Sequence, residues 1–278
     1  MDWLTAYKIP IGLWANTIFQ WMKTHLNGLF DVISVILEWL INGFLWLLQE
    51  PNPLVIIAIF VAIAWVLQHN WKICFGVGLG FLFVLNQGYW KETTESLTLI
   101  LSSCAVCMAV GVPVGIACAH NSRLNSALSP VLDLMQTLPS FVYLIPAIIL
   151  FGIGTVPGLI ATVIFVLPAP IRLTELGVST TPIALLEAAT AFGATPRQRL
   201  WKVELPWALP QIMVGLNQTI MLSLSMVVIS SLVGANGLGT PVLRALASVN
   251  AAKGFEAGFV IVVVAIALRS TFQREVKK

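Results

Sequence analysis

Residues 174–210 read TELGVSTTPIALLEAATAFGATPRQRLWKVELPWALP, the longest polar interruption in a chain otherwise dominated by apolar runs. The segment is not composed like a loose linker. Ser179-Thr180-Thr181-Pro182 predicts a helix start, with hydroxyl caps and a proline in the first turn. Residues 183–192 are mostly strong helix formers, and Gly193 is placed to end that helix. Thr195-Pro196-Arg197 starts a second short helix that runs on through Val203, and Leu205-Pro206 closes the segment before the next apolar run. A short, rigid helix pair can dock on a partner and transmit force, whereas a flexible loop would lose too much entropy on ordering. Ala188 and Ala189 allow close approach, and Glu187 offers a charge to pair across a contact. An ordinary folded loop that stabilises its own bundle is the other reading, and composition alone leaves both open.

Outward from this segment the chain is membrane-like. Of 278 residues 58% are hydrophobic and 10% charged, with mean hydropathy +0.91. Soluble domains carry about 25% charged residues, so the bilayer is the solvent that tolerates this composition. The net charge of +3 comes with no basic run of the kind that binds nucleic acid. Five long apolar segments are predicted at roughly 96–119, 126–151, 156–174, 207–233 and 255–271. The glycine-rich stretch 152–158 separates two of them. Pro113, Pro139, Pro146, Pro168 and Pro170 sit in or beside these spans as hinges or as packing kinks, two roles the sequence does not separate. Residues 51–71 and 73–90 form a pair of thin spans around the polar turn Gln68-His69-Asn70-Trp71-Lys72. In 29–49, Asp31, Ser34, Glu38, Asn42 and Gln49 fall on one stripe at 100° per residue, which predicts an amphipathic helix in the membrane interface; a spanning helix with its stripe against protein is the competing reading.

The expected organisation is therefore an N-terminal segment with an interfacial helix (1–50), a two-helix hairpin (51–90), a core transmembrane domain (91–271) containing the loop 175–206, and a cytoplasmic tail (272–278). The whole is an all-α, polytopic membrane protein of about seven spans, or eight if 29–49 crosses. With the C-terminus inside, Lys72, Arg123, Arg172, Arg197, Arg199, Lys202, Arg269, Arg274, Lys277 and Lys278 are cytoplasmic. Lys91, Arg244 and Lys253 are outside, joined by Lys8 and Lys23 in the seven-span arrangement, so the count is ten against five. Eight spans would move Lys8 and Lys23 inside and improve it. In both arrangements 175–206 faces the cytoplasm. The first residues lack the pattern of a secretory signal peptide. Cys104 and Cys107 form C-x-x-C, but no histidine or cysteine set accompanies them, so they read as small apolar residues one turn apart and no metal is expected.

Glu187-Ala188-Ala189, three residues, Gly193, nine residues and Val203-x-Leu205-Pro206 resemble the EAA loop of ABC importer permeases, departing only in Val203 where the pattern has isoleucine. Asp133-x-Met135-Gln136-Thr137-x-Pro139-x-Phe141-Val142-Tyr143-Leu144-x-Pro146, Phe151-Gly152-Ile153-Gly154, Asn217-Gln218-Thr219, residues 224–228 and Gly237-Leu238-Gly239 resemble the glycine betaine, proline betaine and choline branch over about residues 90–270. Leu268-Arg269-Ser270 departs from it, with leucine where an acidic residue is expected. The resemblance implies a type I ABC importer-like permease of the bacterial inner membrane for quaternary ammonium osmolytes. It is a non-catalytic subunit that binds no cofactor of its own, ATP being held by a partner. The implied partners are a cytoplasmic ABC ATPase dimer, a second permease copy, a periplasmic or extracytoplasmic substrate-binding protein and membrane lipid. Glu187, Ala188, Ala189, Gly193, Leu205 and Pro206 take the ATPase-coupling role.

No phosphate-cradling Gly-x4-Gly-Lys-Ser/Thr loop occurs in the chain. Gln136, Thr137, Asn217, Gln218, Ser223 and Ser225 are candidate pathway groups, with helix–helix hydrogen bonding as the alternative for each. Asp133 and Glu175 flank spans, and Arg172 is placed to snorkel to the cytoplasmic face. A gradient-driven secondary transporter or a membrane scaffold would also suit a polytopic chain, but the first calls for ionisable residues paired within spans, which are nearly absent here.

Overall fold

The structure, a computed structural model, describes residues 10–272; Lys8 and the basic tail residues Arg274, Lys277 and Lys278 lie outside them. Helices account for nearly all of the described residues, with no strand among them. In chain order they are α1 (Ile11–His25), α2 (Asn27–Gln49), α3 (Pro53–Gln68), α4 (Trp71–Asn86), α5 (Trp90–His120), α6 (Ser122–Thr137), α7 (Leu144–Phe151), α8 (Thr155–Val166), α9 (Pro168–Ser179), α10 (Ile183–Ala191), α11 (Pro196–Arg199), α12 (Leu205–Ser231), α13 (Gly239–Ala247) and α14 (Ala251–Phe272).

Among the described residues, five helical runs are long and apolar enough to cross a membrane, six if a broken pair counts as one span, with α3 and α4 as shorter apolar helices. At 16 residues each, α3 and α4 rise about 24 Å, short of a hydrocarbon core of about 30 Å. Asn52 and Asn70 cap them through side-chain oxygens that accept from the Leu54 and Lys72 amides. His69 turns the chain between them at φ 50°.

At the centre α5, α9 and α12 pack on one another, with α8 filling the side of α12. Close approach depends on glycine. A Cβ at Gly115 would meet the Ile171 carbonyl oxygen at 2.6 Å, and one at Gly111 the Pro170 ring at 2.8 Å, so α5 and α9 touch backbone to backbone. Some buried hydroxyls pair between helices. Ser103 donates to Ser223 at 2.7 Å between α5 and α12, and Thr162 and Ser230 lie 3.1 Å apart between α8 and α12. On the other flank Phe60, Phe81, Leu97, Leu224, Val260 and Val264 form one apolar cluster joining α3, α4, α5, α12 and α14.

One segment differs from its sequence reading, and a second bears on a choice the sequence left open. The run 126–151, expected as one span, is broken into α6 and α7, bent by 105°. Leu138 precedes Pro139 and is extended at ψ 137°, the conformation proline imposes on the residue before it. The Tyr143 hydroxyl donates to the Met135 carbonyl at 2.7 Å, closing the exposed end of α6. The 29–49 segment, read as interfacial, is part of α2, which is long and apolar enough to span. It lies along α5: Gln49 donates to Thr94 near the start of α5 at 3.0 Å, while Leu37 and Ile41 share a cluster with Val106, three turns further along α5. α2 thus runs antiparallel to α5, as the spanning alternative requires. Its packed face is apolar (Phe30, Leu37, Ile41 and Leu48 are buried), and Asp31, Glu38 and Asn42 lie on an exposed edge beside it rather than against protein.

Candidate functional site

The interruption between α9 and α12 folds as an elbow of two short helices. Its first expected device is differently employed. Thr180 and Thr181 donate to the Leu176 and Val178 carbonyls at 2.8 Å each, so their hydroxyls finish α9 instead of starting α10. Pro182 occupies the α10 N-cap position, where no side chain caps the helix. The remaining signals act as expected. Gly193 has φ 78°. Its amide donates to the Thr190 carbonyl at 2.9 Å and the Ala194 amide to that of Ala189 at 3.0 Å, the paired bonds of a Schellman ending. Thr195 and Gln198 form a reciprocal capping box at the start of α11.

α11 does not stop. It passes through a π-helical turn, Leu200–Glu204, directly into α12, so that Pro196–Ser231 is one continuous 36-residue helical run. The wider turn accommodates Pro206, which has no amide to donate backward. The elbow and a central span are thus parts of one rod.

The elbow buries little of itself. α10 and α11 have no buried residue, and Ile183 is 71% and Phe192 92% exposed. Short isolated helices are marginal in water, and an exposed apolar surface of this kind marks a contact site. Glu187, Ala188, Gly193 and Pro206 are exposed, and Ala189 and Leu205 half-buried. Leu186, Glu187, Thr190, Ala191 and Arg199 line a shallow groove between the two helices. All six predicted coupling residues therefore fall on or beside one protruding feature.

The pathway candidates do not form one cluster. Ser223 is buried in its bond with Ser103 and acts as a helix–helix contact. Gln218 and Ser225, seven residues apart on α12, are exposed on one face. The Asn217 Oδ1 is buried without a hydrogen-bond partner. Gln136 and Thr137 are exposed at the α6 bend. Arg172 pairs with Asp133 at 2.6 Å, both partly exposed, and Glu175 accepts from Asn125 at 3.3 Å. All four cysteines are free and buried.

Sequence reasoning missed a charged cluster at the root of the elbow. Glu204 is 3% exposed. Its Oε1 accepts from Arg199 Nε at 3.0 Å, and its Oε2 lies 2.8 Å from His120 Nε2 at the end of α5. The available signal was an acidic residue in the x position of Val203-x-Leu205-Pro206, at the mouth of an apolar run.

Residues 111–273 match the family described as binding-protein-dependent transport system inner membrane component. The glycine betaine/carnitine transport permease protein GbuB of Listeria monocytogenes serotype 1/2a (strain 10403S) is 43% identical over 97% of this chain and 96% of its own length. The glycine betaine transport system permease protein OpuAB of Bacillus subtilis (strain 168) is 43% identical over 98% and 96%. The glycine betaine/proline betaine transport system permease protein ProW of Escherichia coli (strain K12) is 41% identical over 94% of this chain and 73% of its own. Among solved structures, an inward-facing form of the MetNI methionine ABC transporter superposes with a TM-score of 0.60 at 23% identity, over 69% of this chain and 94% of that one; at that identity the likeness concerns the fold.

Proposed function

Since this chain belongs to the family of inner membrane components of binding-protein-dependent transport systems, we propose that its cargo is a quaternary ammonium osmolyte, glycine betaine first among them. The observation that carries this reading is the 43% identity, over nearly the full length of both chains, to permeases named for glycine betaine. In this reading the exposed elbow is the seat of a separate cytoplasmic ATPase. Glu187, Ala188 and Ala189 form the contact surface, Gly193 shapes it, and Leu205-Pro206 fixes its junction with the span. Two permease copies enclose the pathway, two ATPase subunits drive it, and an extracytoplasmic binding protein delivers the solute. Gln218 and Ser225, exposed on one face of α12, are the pathway groups this arrangement favours. ATP-driven closure of the ATPase would then move a rigid rod between two states.

The test is uptake into vesicles that hold the purified complex, ATP inside and the binding protein outside. Saturable glycine betaine uptake that needs ATP and no ion gradient is expected, with carnitine, proline betaine and choline as competitors that rank the specificity. Uptake driven by a sodium or proton gradient without ATP would overturn the reading in favour of a secondary transporter.

A further inference from the structure

We propose that Glu204, His120 and Arg199 are positioning residues, forming a charged tie that fastens the elbow to the cytoplasmic end of α5, so that movement imposed on the elbow reaches α5 and α12 together. The proposal rests on the reading of the elbow as an ATPase seat, and goes beyond it by naming what holds the elbow to the bundle.

Three observations carry it. Glu204 is the buried residue of the π turn that joins α11 to α12, while α10 and α11 bury nothing; its carboxylate is therefore a principal hold on the elbow. A buried carboxylate is costly unless charged partners and hydrogen bonds compensate it. Here compensation comes from two elements. Arg199 donates to Oε1 from within the elbow, and His120 faces Oε2 from α5. Oε2 has no well-aligned hydrogen bond of its own, and His120 Nε2 at 2.8 Å is the polar group that faces it.

The histidine is also held in place on its own helix: Nδ1 lies 2.9 Å from the Ile116 carbonyl oxygen one turn back, which leaves Nε2 facing the Glu204 carboxylate. Immediately toward the membrane, Ile116 and Ala119 of α5 pack with Val178 of α9 and Leu205, Ala208 and Ile212 of α12. The tie closes the water-facing end of this apolar contact. Together with the Ser103–Ser223 bond deeper in the membrane, it gives α5 and α12 two separate points of attachment.

The experiment uses the full complex with its ATPase and binding protein in vesicles, reading glycine betaine imported per ATP hydrolysed alongside the amount of complex assembled. His120→Gln and Glu204→Gln should each lower that ratio at least about fivefold, the range of ordinary coupling energies, with assembly retained. His120→Lys, which places a cation opposite Glu204, should restore the ratio. An unchanged ratio in both glutamine variants would overturn the tie. So would a fall in uptake that merely tracks lost complex, or a lysine variant as poor as the glutamine one. If the wild-type chain itself assembles no ATPase, the ATPase-seat reading fails first, and independently of the tie.

Discussion

At Gly193 one backbone angle ends α10 and sets the shape of the elbow. At φ 78° a side chain costs about 1–2 kcal/mol, yet a Cβ there would meet nothing within 4 Å, so the chain itself does not forbid one. Gly193→Asp should therefore insert and fold at near wild-type levels while losing most uptake, because the new charge projects from the docking surface; membrane content against uptake checks this, and normal transport would mean the elbow is not the seat. Ser223 makes the opposite case. Ser223→Ala should cost on the order of 0.6–1.7 kcal/mol of stability, the range of interhelical bonds in membranes, and leave solute preference unchanged; an altered preference would return Ser223 to the pathway. Gly193 and the helix start at Thr195-Pro196 were legible in the sequence because their partners lie within a few residues. The Ser103–Ser223 and His120–Glu204 pairs were not, because their members are remote in the chain and only the packing of α5 against α12 and its preceding turn brings them together. Thr180 and Thr181 were misread for a third reason: a hydroxyl between two helices can serve either, and the free carbonyls ending α9 took both.

Among the elements, the rod running from α11 through the π turn into α12 has the clearest consequence. A lever must resist bending, and its weak point is the five-residue π turn. Inserting two glycines there, each costing about 1 kcal/mol of helix stability, should leave ATPase binding intact while uptake per ATP collapses. Undiminished coupling would show that force travels by another route. The apolar period predicted a span at 207–233 but gave no sign that α11 would join it, since Leu205-Pro206 reads as a boundary. In the structure a wider turn absorbs the proline. At the α6–α7 bend, Pro139 does break the helix, because Leu138 is held extended and Tyr143 satisfies the carbonyls left behind. Two similar sequence signals thus have opposite outcomes, decided by whether the turn can widen or a side chain can replace the lost bonds.

On the scale of the whole molecule, the antiparallel packing of α2 along α5 favours the eight-span count. α5 begins outside and ends inside by the charge bias, so antiparallel α2 begins inside, and Lys23 with it. Lys23→Cys should then be labelled by an impermeant thiol reagent only from the cytoplasmic side, against a low background from four buried native cysteines. Labelling from outside would lay α2 flat or remove it as a span. The apolar spans and the elbow were legible because bilayer and turn signals are local; the packing of α2 along α5 was not, because its polar stripe is the same whether it faces lipid headgroups or an open edge of the bundle. The central claim, that this chain is a permease driven through its elbow by a separate ATPase, is met most directly by purifying the tagged protein from its native membrane and assaying bound nucleotide hydrolysis with and without Glu187→Lys. The account predicts an ATPase that accompanies the wild-type chain and is lost or silenced in the variant. A chain that purifies with no nucleotide-hydrolysing partner, or a variant that retains full activity, would contradict it.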